Sequence, residues 1–177
     1  MNISLRQEQP EDYHHTEILI EQAFRNEEMS DKQEHFLVQR IRRSDAFIPE
    51  LSIVAVNQQD EIIGQILFSK ISIKNQEQTT ESLALAPISV HSDYQKQGIG
   101  SMLMNKGLKK AKEAGYNSVI VLGHPDYYPH FGFKLASLWG IEAPFDVPDE
   151  AFMALELEKD AFKNVIGVVQ YSEAFSE

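Results

Sequence analysis

Val90-His91-Ser92-Asp93-Tyr94-Gln95-Lys96-Gln97-Gly98-Ile99-Gly100-Ser101 decides how this chain is read. An apolar run, Leu83 to Val90, leads in as a strand, and a helical pattern from Ile99 to Ala114 leads out. Two glycines, Gly98 and Gly100, stand where the helix begins. A helix start presents several unpaired N–H groups and the positive end of the helix dipole. Glycine there lets an anion approach the backbone. The junction therefore predicts a phosphate-bearing ligand.

Elimination narrows the ligand. A dinucleotide fingerprint requires a third glycine where Leu103 stands, and a ribose-binding acid about 20 residues on; Asn117 to Val121 holds none. No Walker A string occurs. What remains is Gln95-x-x-Gly98-x-Gly100. A second segment, Gly123-His124-Pro125-Asp126-Tyr127-Tyr128-Pro129-His130-Phe131-Gly132-Phe133, follows a short strand pattern at Ser118 to Leu122.

The first motif resembles the pyrophosphate loop of the GNAT (Gcn5-related) N-acetyltransferases. The second is similar to their Gly-Phe segment with a tyrosine four residues before the glycine, here Tyr128. Its Gly-His-Pro start and paired tyrosines resemble the YhbS-like branch of acetyltransferases. The likeness runs from about Ile3 to about Phe133. It implies an α/β (α+β) GNAT fold: a mixed, mostly antiparallel, twisted sheet of about 6–7 strands, with a splayed parallel pair in the middle and about 4 flanking helices. A single domain is expected over 1–177, with core motifs at 3–133 and a C-terminal β segment at 134–177.

Composition agrees with such a domain. At 177 residues, 42% hydrophobic and 24% charged, the chain can bury one core. A net charge of −11 argues against a nucleic-acid face and an anionic membrane surface. The excess of acid either attracts a cationic amine or simply confers solubility. Without cysteine there is no disulfide, thiolate-bound zinc or acyl-cysteine intermediate. The first residues lack signal-peptide character, and no apolar run reaches the length of a membrane span, so the expected location is the cytoplasm.

The remaining pattern fills in the fold. Ile3 to Arg6 reads as a strand. Pro10-Glu11-Asp12 opens a helix with the stripe Ile18, Leu19, Ala23 and Phe24. Ser30 or Asp31 is expected to cap a second helix ending at Arg40 to Arg43. Leu51–Val56 and Glu61–Ile73 read as a hairpin, followed by a strand over Glu81–Val90. Pro87 within that strand marks either an edge or a bulge; the resemblance favours a bulge that opens the strand from its parallel neighbour. Ile99, Met102, Leu103 and Ala111 are expected to face inward on the helix after the loop. A short strand is expected near 133–136, and Phe152–Leu157 and Val165–Tyr171 read as a closing β-pair.

The resemblance also assigns chemistry. Acetyl-CoA is the implied cosubstrate, with no metal. Ile88, Ser89 and Val90 are expected to pair with its pantetheine arm, and the Val90 amide to donate to the developing oxyanion. Gln95, Lys96, Gln97, Gly98, Ile99, Gly100 and Ser101 would hold the diphosphate; Lys96 either adds charge or is a solvated surface lysine. Gly123, Tyr127, Tyr128 and Phe131 would complete the site. Tyr128 is either the acid that protonates the leaving thiolate or a packing aromatic.

Some GNAT members carry a glutamate as base where this chain has Ala84. Glu27, Glu28, Glu81, His91, His124 and water stay open as alternatives. The expected acceptor is an amine on a small molecule or peptide, attacked directly in a ternary complex. The resemblance leaves monomer and homodimer open. A non-catalytic acyl-CoA sensor and a nucleotide-binding protein are the competing functions.

Overall fold

The computed structural model describes residues 2–28 and 30–176. The chain opens with strand β1 (Ser4–Gln7), a 3₁₀ turn at Pro10–Asp12 and helix α1 (Tyr13–Phe24). Helix α2 (Glu34–Arg42) follows, then β2 (Phe47–Val56), β3 (Ile62–Lys74), β4 (Thr79–Val90), α3 (Ile99–Glu113) and β5 (Ser118–Leu122). The C-terminal part adds β6 (Lys134–Leu135), β7 (Ile141–Glu142), β8 (Phe152–Glu156) and β9 (Gly167–Gln170). Nine strands and three α-helices thus lie among the described residues. The segment after β5, bounded by Pro125, Pro129 and Gly132, makes a 3₁₀ turn at Tyr128–Phe131 rather than a fourth α-helix.

All strands join one sheet, ordered β1-β2-β3-β4-β5-β8-β6. The pairs are antiparallel except β4–β5 and β7–β9. The expected closing pair does not form. β8 pairs with β5 and β6, whereas β9 extends along β3 beyond the end of β2. Local alternation identified both strands but carried nothing about their partners.

Helix α3 covers one face of the sheet. Its buried row is Ile99, Leu103, Gly107 and Ala111, joined by Met104. Met102, expected inside, is exposed: it lies off the four-residue row that meets the sheet. A Cβ at Gly107 would come within 2.4 Å of the buried Phe68 ring, so this glycine sets how closely α3 approaches β3. Helices α1 and α2 cover the other face through Ile20, Val38 and Ile41, which pack with Leu67.

Between them lies a buried ion-pair network. Arg42 bonds Glu8 at 2.8 Å and Glu17 at 2.6 Å, and Ser52 donates to Glu8 at 2.7 Å. Ser30 and Asp31 do not cap α2. Their oxygens accept from the N–H groups of Lys32 and Gln33, closing side-chain turns that delay the helix to Glu34.

Candidate active site

The site begins with a register shift. Ile66 faces Ile88 while Phe68 faces Leu85, so β4 holds one extra residue at Ala86–Pro87. Below the bulge, β4 and β5 pair only at Leu83–Val119 and Ala84–Ile120. Beyond these rungs, β5 runs two residues to Leu122 and β4 six to Val90, and the two no longer pair. Proline at the bulge removes a ladder donor just where the strands part.

The direction of the freed backbone follows from the ladder. The His91 N–H donates to the Ile63 carbonyl at 2.8 Å. Backbone groups alternate along a strand, so the N–H groups of Val90 and Ile88 point away from β3, off the edge facing β5. The Val90 carbonyl lies on that edge too and accepts from the Gln95 amide at 3.3 Å. The side chain of Ser89 faces the other layer, where Gln65 donates to its hydroxyl at 2.9 Å in a buried pair.

The loop after β4 turns on left-handed backbone. Lys96 has φ 63° and Gly98 has φ 85°. A Cβ at Gly98 would meet nothing within 4 Å, so its conformation, not space, calls for glycine. Gly98 is the N-cap of α3, and the first intrahelical bond is Met102 N–H to the Gly98 carbonyl at 3.0 Å. The N–H groups of Ile99, Gly100 and Ser101 therefore have no acceptor within the helix. Gln95, Lys96, Gln97 and Ser101 are exposed around them.

The aromatic segment closes the other side. A Cβ at Gly100 would lie 2.9 Å from the Tyr127 hydroxyl and 3.9 Å from Val90 Cγ2. Tyr127 thus reaches across from the end of β5 to the first turn of α3. Its ring meets Tyr128 edge-on at 5.1 Å and Phe131 at 5.3 Å. Tyr128 lies against Gly123, where a Cβ would come within 2.4 Å of its ring. Burial, with a smaller contribution from neighbouring Tyr127, pushes the Tyr128 phenol up to about 12. Burial also raises Tyr127.

The structure therefore brings Ile88–Val90, 95–101, Gly123, Tyr127, Tyr128 and Phe131 around one splayed edge. The candidate bases are scattered. Glu81 sits near the start of β4, roughly 30 Å of extended strand from Val90. Glu27 and Glu28 are exposed beyond α1. His91 and His124 follow the diverging ends of β4 and β5; the His91 Nδ1 accepts from the Asp93 N–H at 3.1 Å.

Contacts between Gln95 and Val90 and between Tyr127 and Gly100 escaped the sequence reading. Each joins separate segments with no local pattern to announce it. Among the described residues no group of three or more His, Asp or Glu side chains is placed to hold a metal, and none of the helices is long and apolar enough to cross a membrane.

This geometry can receive an extended, amide-bearing arm along a strand edge and a diphosphate at a helix start. The profile of the acetyltransferase (GNAT) family matches residues 13–133. The chain belongs to the GNAT family. As a GNAT protein it is 32% identical over 134 residues to the uncharacterized N-acetyltransferase YhbS of Escherichia coli K12, covering 76% of this chain and 78% of that one. The crystal structure of E. coli YhbS in complex with CoA superposes with a TM-score of 0.90 at 28% identity, covering 100% of this GNAT chain and 93% of the other. A GNAT acetyltransferase from Brucella melitensis in complex with acetyl-CoA gives 0.79 at 30% identity, covering 98% of both chains.

Proposed function

We propose that this protein transfers an acetyl group from acetyl-CoA to a primary amine of a small molecule or peptide, by direct attack in a ternary complex. The observation that carries this reading is the pair of N–H groups, Ile88 and Val90, aimed off a strand edge that leads directly into the α3 start. The CoA and acetyl-CoA bound in the two similar structures support it.

Acetyl-CoA, when bound, supplies an activated acyl thioester. The chain's own residues do the rest. The amides from Gln95 to Ser101 take the diphosphate, with Lys96 adding a positive charge. Ile88, Ser89 and Val90 receive the pantetheine arm as an added strand. The Val90 N–H donates to the carbonyl oxygen as it gains charge, an interaction strengthened by exclusion of water.

Tyr128 gives a proton to the departing thiolate. A phenol is protonated at neutral pH at its ordinary value near 10, and burial here raises Tyr128 further, to about 12. Desolvation disfavours the ionised form of any acid, so a thiol buried beside the phenol would be shifted in the same direction. No glutamate stands at Ala84, so the amine arrives neutral or loses its proton to water or a nearby imidazole. The chain has no cysteine, so no acyl-cysteine forms.

The test is thiol release from acetyl-CoA against a panel of primary amines. Amine-dependent release supports the enzyme. Tight CoA binding with no release for any amine identifies a sensor or scaffold instead.

A further inference from the structure

A second concave surface lies on the opposite side of β3. The groove, ≈ 860 Å³, runs between the end of α2, the outer edge of β3 and the segment after β9. It is separate from the splayed edge. Lys70 on its wall pairs across β3–β4 with Leu83, and β5 lies beyond. One strand, β4, intervenes, and along it Leu83 stands seven residues, about 23 Å, from Val90.

Its lining is weakly cationic in an acidic molecule: Arg40, Arg43 and Lys70 stand against Asp45 and Glu173. The chain holds 27 acidic against 16 basic residues. Three of its arginines, Arg6, Arg25 and Arg42, form ion pairs with carboxylates. The other two, Arg40 and Arg43, both line this groove with Lys70, and none of these three forms an ion pair among the described residues. Arg40 is held in place by its Nε, which donates to the Ala174 carbonyl at 2.7 Å, leaving its terminal nitrogens for another acceptor. Arg43 and Lys70 are exposed.

One aromatic residue, the half-buried Tyr171, lines the groove. Its ring packs on Phe145 at 6.0 Å and 16° and on Phe175 at 4.9 Å, both outside the lining. Three cations that form no ion pair with Asp45 or Glu173 on the same wall, set beside Tyr171, favour an anion carried on a flat apolar body. A planar guanidinium suits a carboxylate or phosphate, and an aromatic ring adds stacking area.

We propose that this groove binds a small organic anion, a carboxylate or phosphate monoester on an aromatic body, independently of the acyl-CoA edge. The site is a cation fork, Arg40 and Arg43 with Lys70 opposite, beside the Tyr171 platform.

The experiment is titration calorimetry on the full chain with phenyl phosphate, benzoate and inorganic phosphate as probes. Binding of the aromatic anions at below about 1 mM in low salt is expected, weakening as salt screens the charges. Inorganic phosphate binds at least tenfold more weakly, since it lacks the ring. Arg43→Gln with Lys70→Gln lowers affinity for phenyl phosphate at least tenfold. Both positions are exposed, so the double variant is expected to fold normally.

Acetyl-CoA does not compete with the probe, and its own affinity is unchanged in the double variant. No binding up to about 10 mM, equal affinity in the double variant, or displacement of the probe by acetyl-CoA overturns the proposal. Amine acetylation measured on the same preparations is unaffected by this outcome, so the two readings fail separately.

Discussion

Replacing Tyr128 by phenylalanine removes one oxygen and is expected to leave stability near neutral pH almost unchanged while turnover falls steeply. The side chain is 8% exposed. Burial lifts its pKa to about 12, and neither contribution to that shift is a hydrogen bond that would stabilise the ionised form. Among the described residues, the buried side-chain atoms left without a partner do not include its hydroxyl, so the variant is expected to stay within about 1 kcal/mol of the parent near neutral pH.

The alkaline limb follows from the same shift. A raised pKa gives a contribution fully present below the ordinary tyrosine value, about 10, and lost as pH climbs towards about 12. Two pH units correspond to about 3 kcal/mol. Chemical denaturation from about pH 8 to 12 is expected to show a shallower loss for Tyr128→Phe. Half-buried Tyr171, raised to about 12 by desolvation, keeps its own share.

Turnover is expected to respond far more strongly. A positioned general acid is worth about 100- to 10,000-fold, or roughly 2.7–5.4 kcal/mol on the barrier. Steady-state kinetics with the best amine of the panel, and calorimetry with CoA, separate this from binding. The expected result is a large fall in kcat with CoA affinity nearly unchanged. Turnover within about threefold of the parent would refute the acid role.

Other variants test the frame. Gly107→Ala gains helix propensity of about 1 kcal/mol but sets a Cβ 2.4 Å from the Phe68 ring. Overpacking costs about 1–3 kcal/mol, so a lower melting temperature is expected, and a higher one contradicts the packing described. Arg42→Ala leaves Glu8, whose side chain is 1% exposed, with a buried charge; a loss of about 3–5 kcal/mol by denaturant titration is expected. Asp12 is held below the ordinary carboxylate range, chiefly by its hydrogen bond from Arg6. That contribution is present above about pH 4 and lost as pH falls through the lowered value, so Asp12→Asn should flatten the acid limb; an unchanged limb counts against it.

Much of the site was legible because its signals are local. Gly98 and Gly100 mark the helix start; Pro87 left an edge and a bulge open until the family resemblance chose the bulge, and the same resemblance singled out Tyr128. The strand β5 could be bounded at Ser118 and Leu122 as a short run of β-branched and apolar residues. What stayed hidden is what depends on residues far apart in sequence. The partner of β9 is β3, nearly a hundred residues earlier, and only the sheet decides that. Met102 and Met104 are equally apolar, and the tilt of α3 on β3, set by Gly107 against Phe68, decides which is buried. The groove of Arg40, Arg43 and Lys70 arises where α2 meets the gap between β2 and β9, so no single segment shows it.

The central claim is that the edge from Ile88 to Val90 and the start of α3 together hold acetyl-CoA. Calorimetry of acetyl-CoA with the parent and with Gly100→Leu tests it most directly, since any side chain there must displace the Tyr127 hydroxyl, 2.9 Å from the new Cβ, and enter the space beside Val90. The account predicts a folded variant whose affinity falls at least a hundredfold. A folded Gly100→Leu protein that binds acetyl-CoA as tightly as the parent would contradict it.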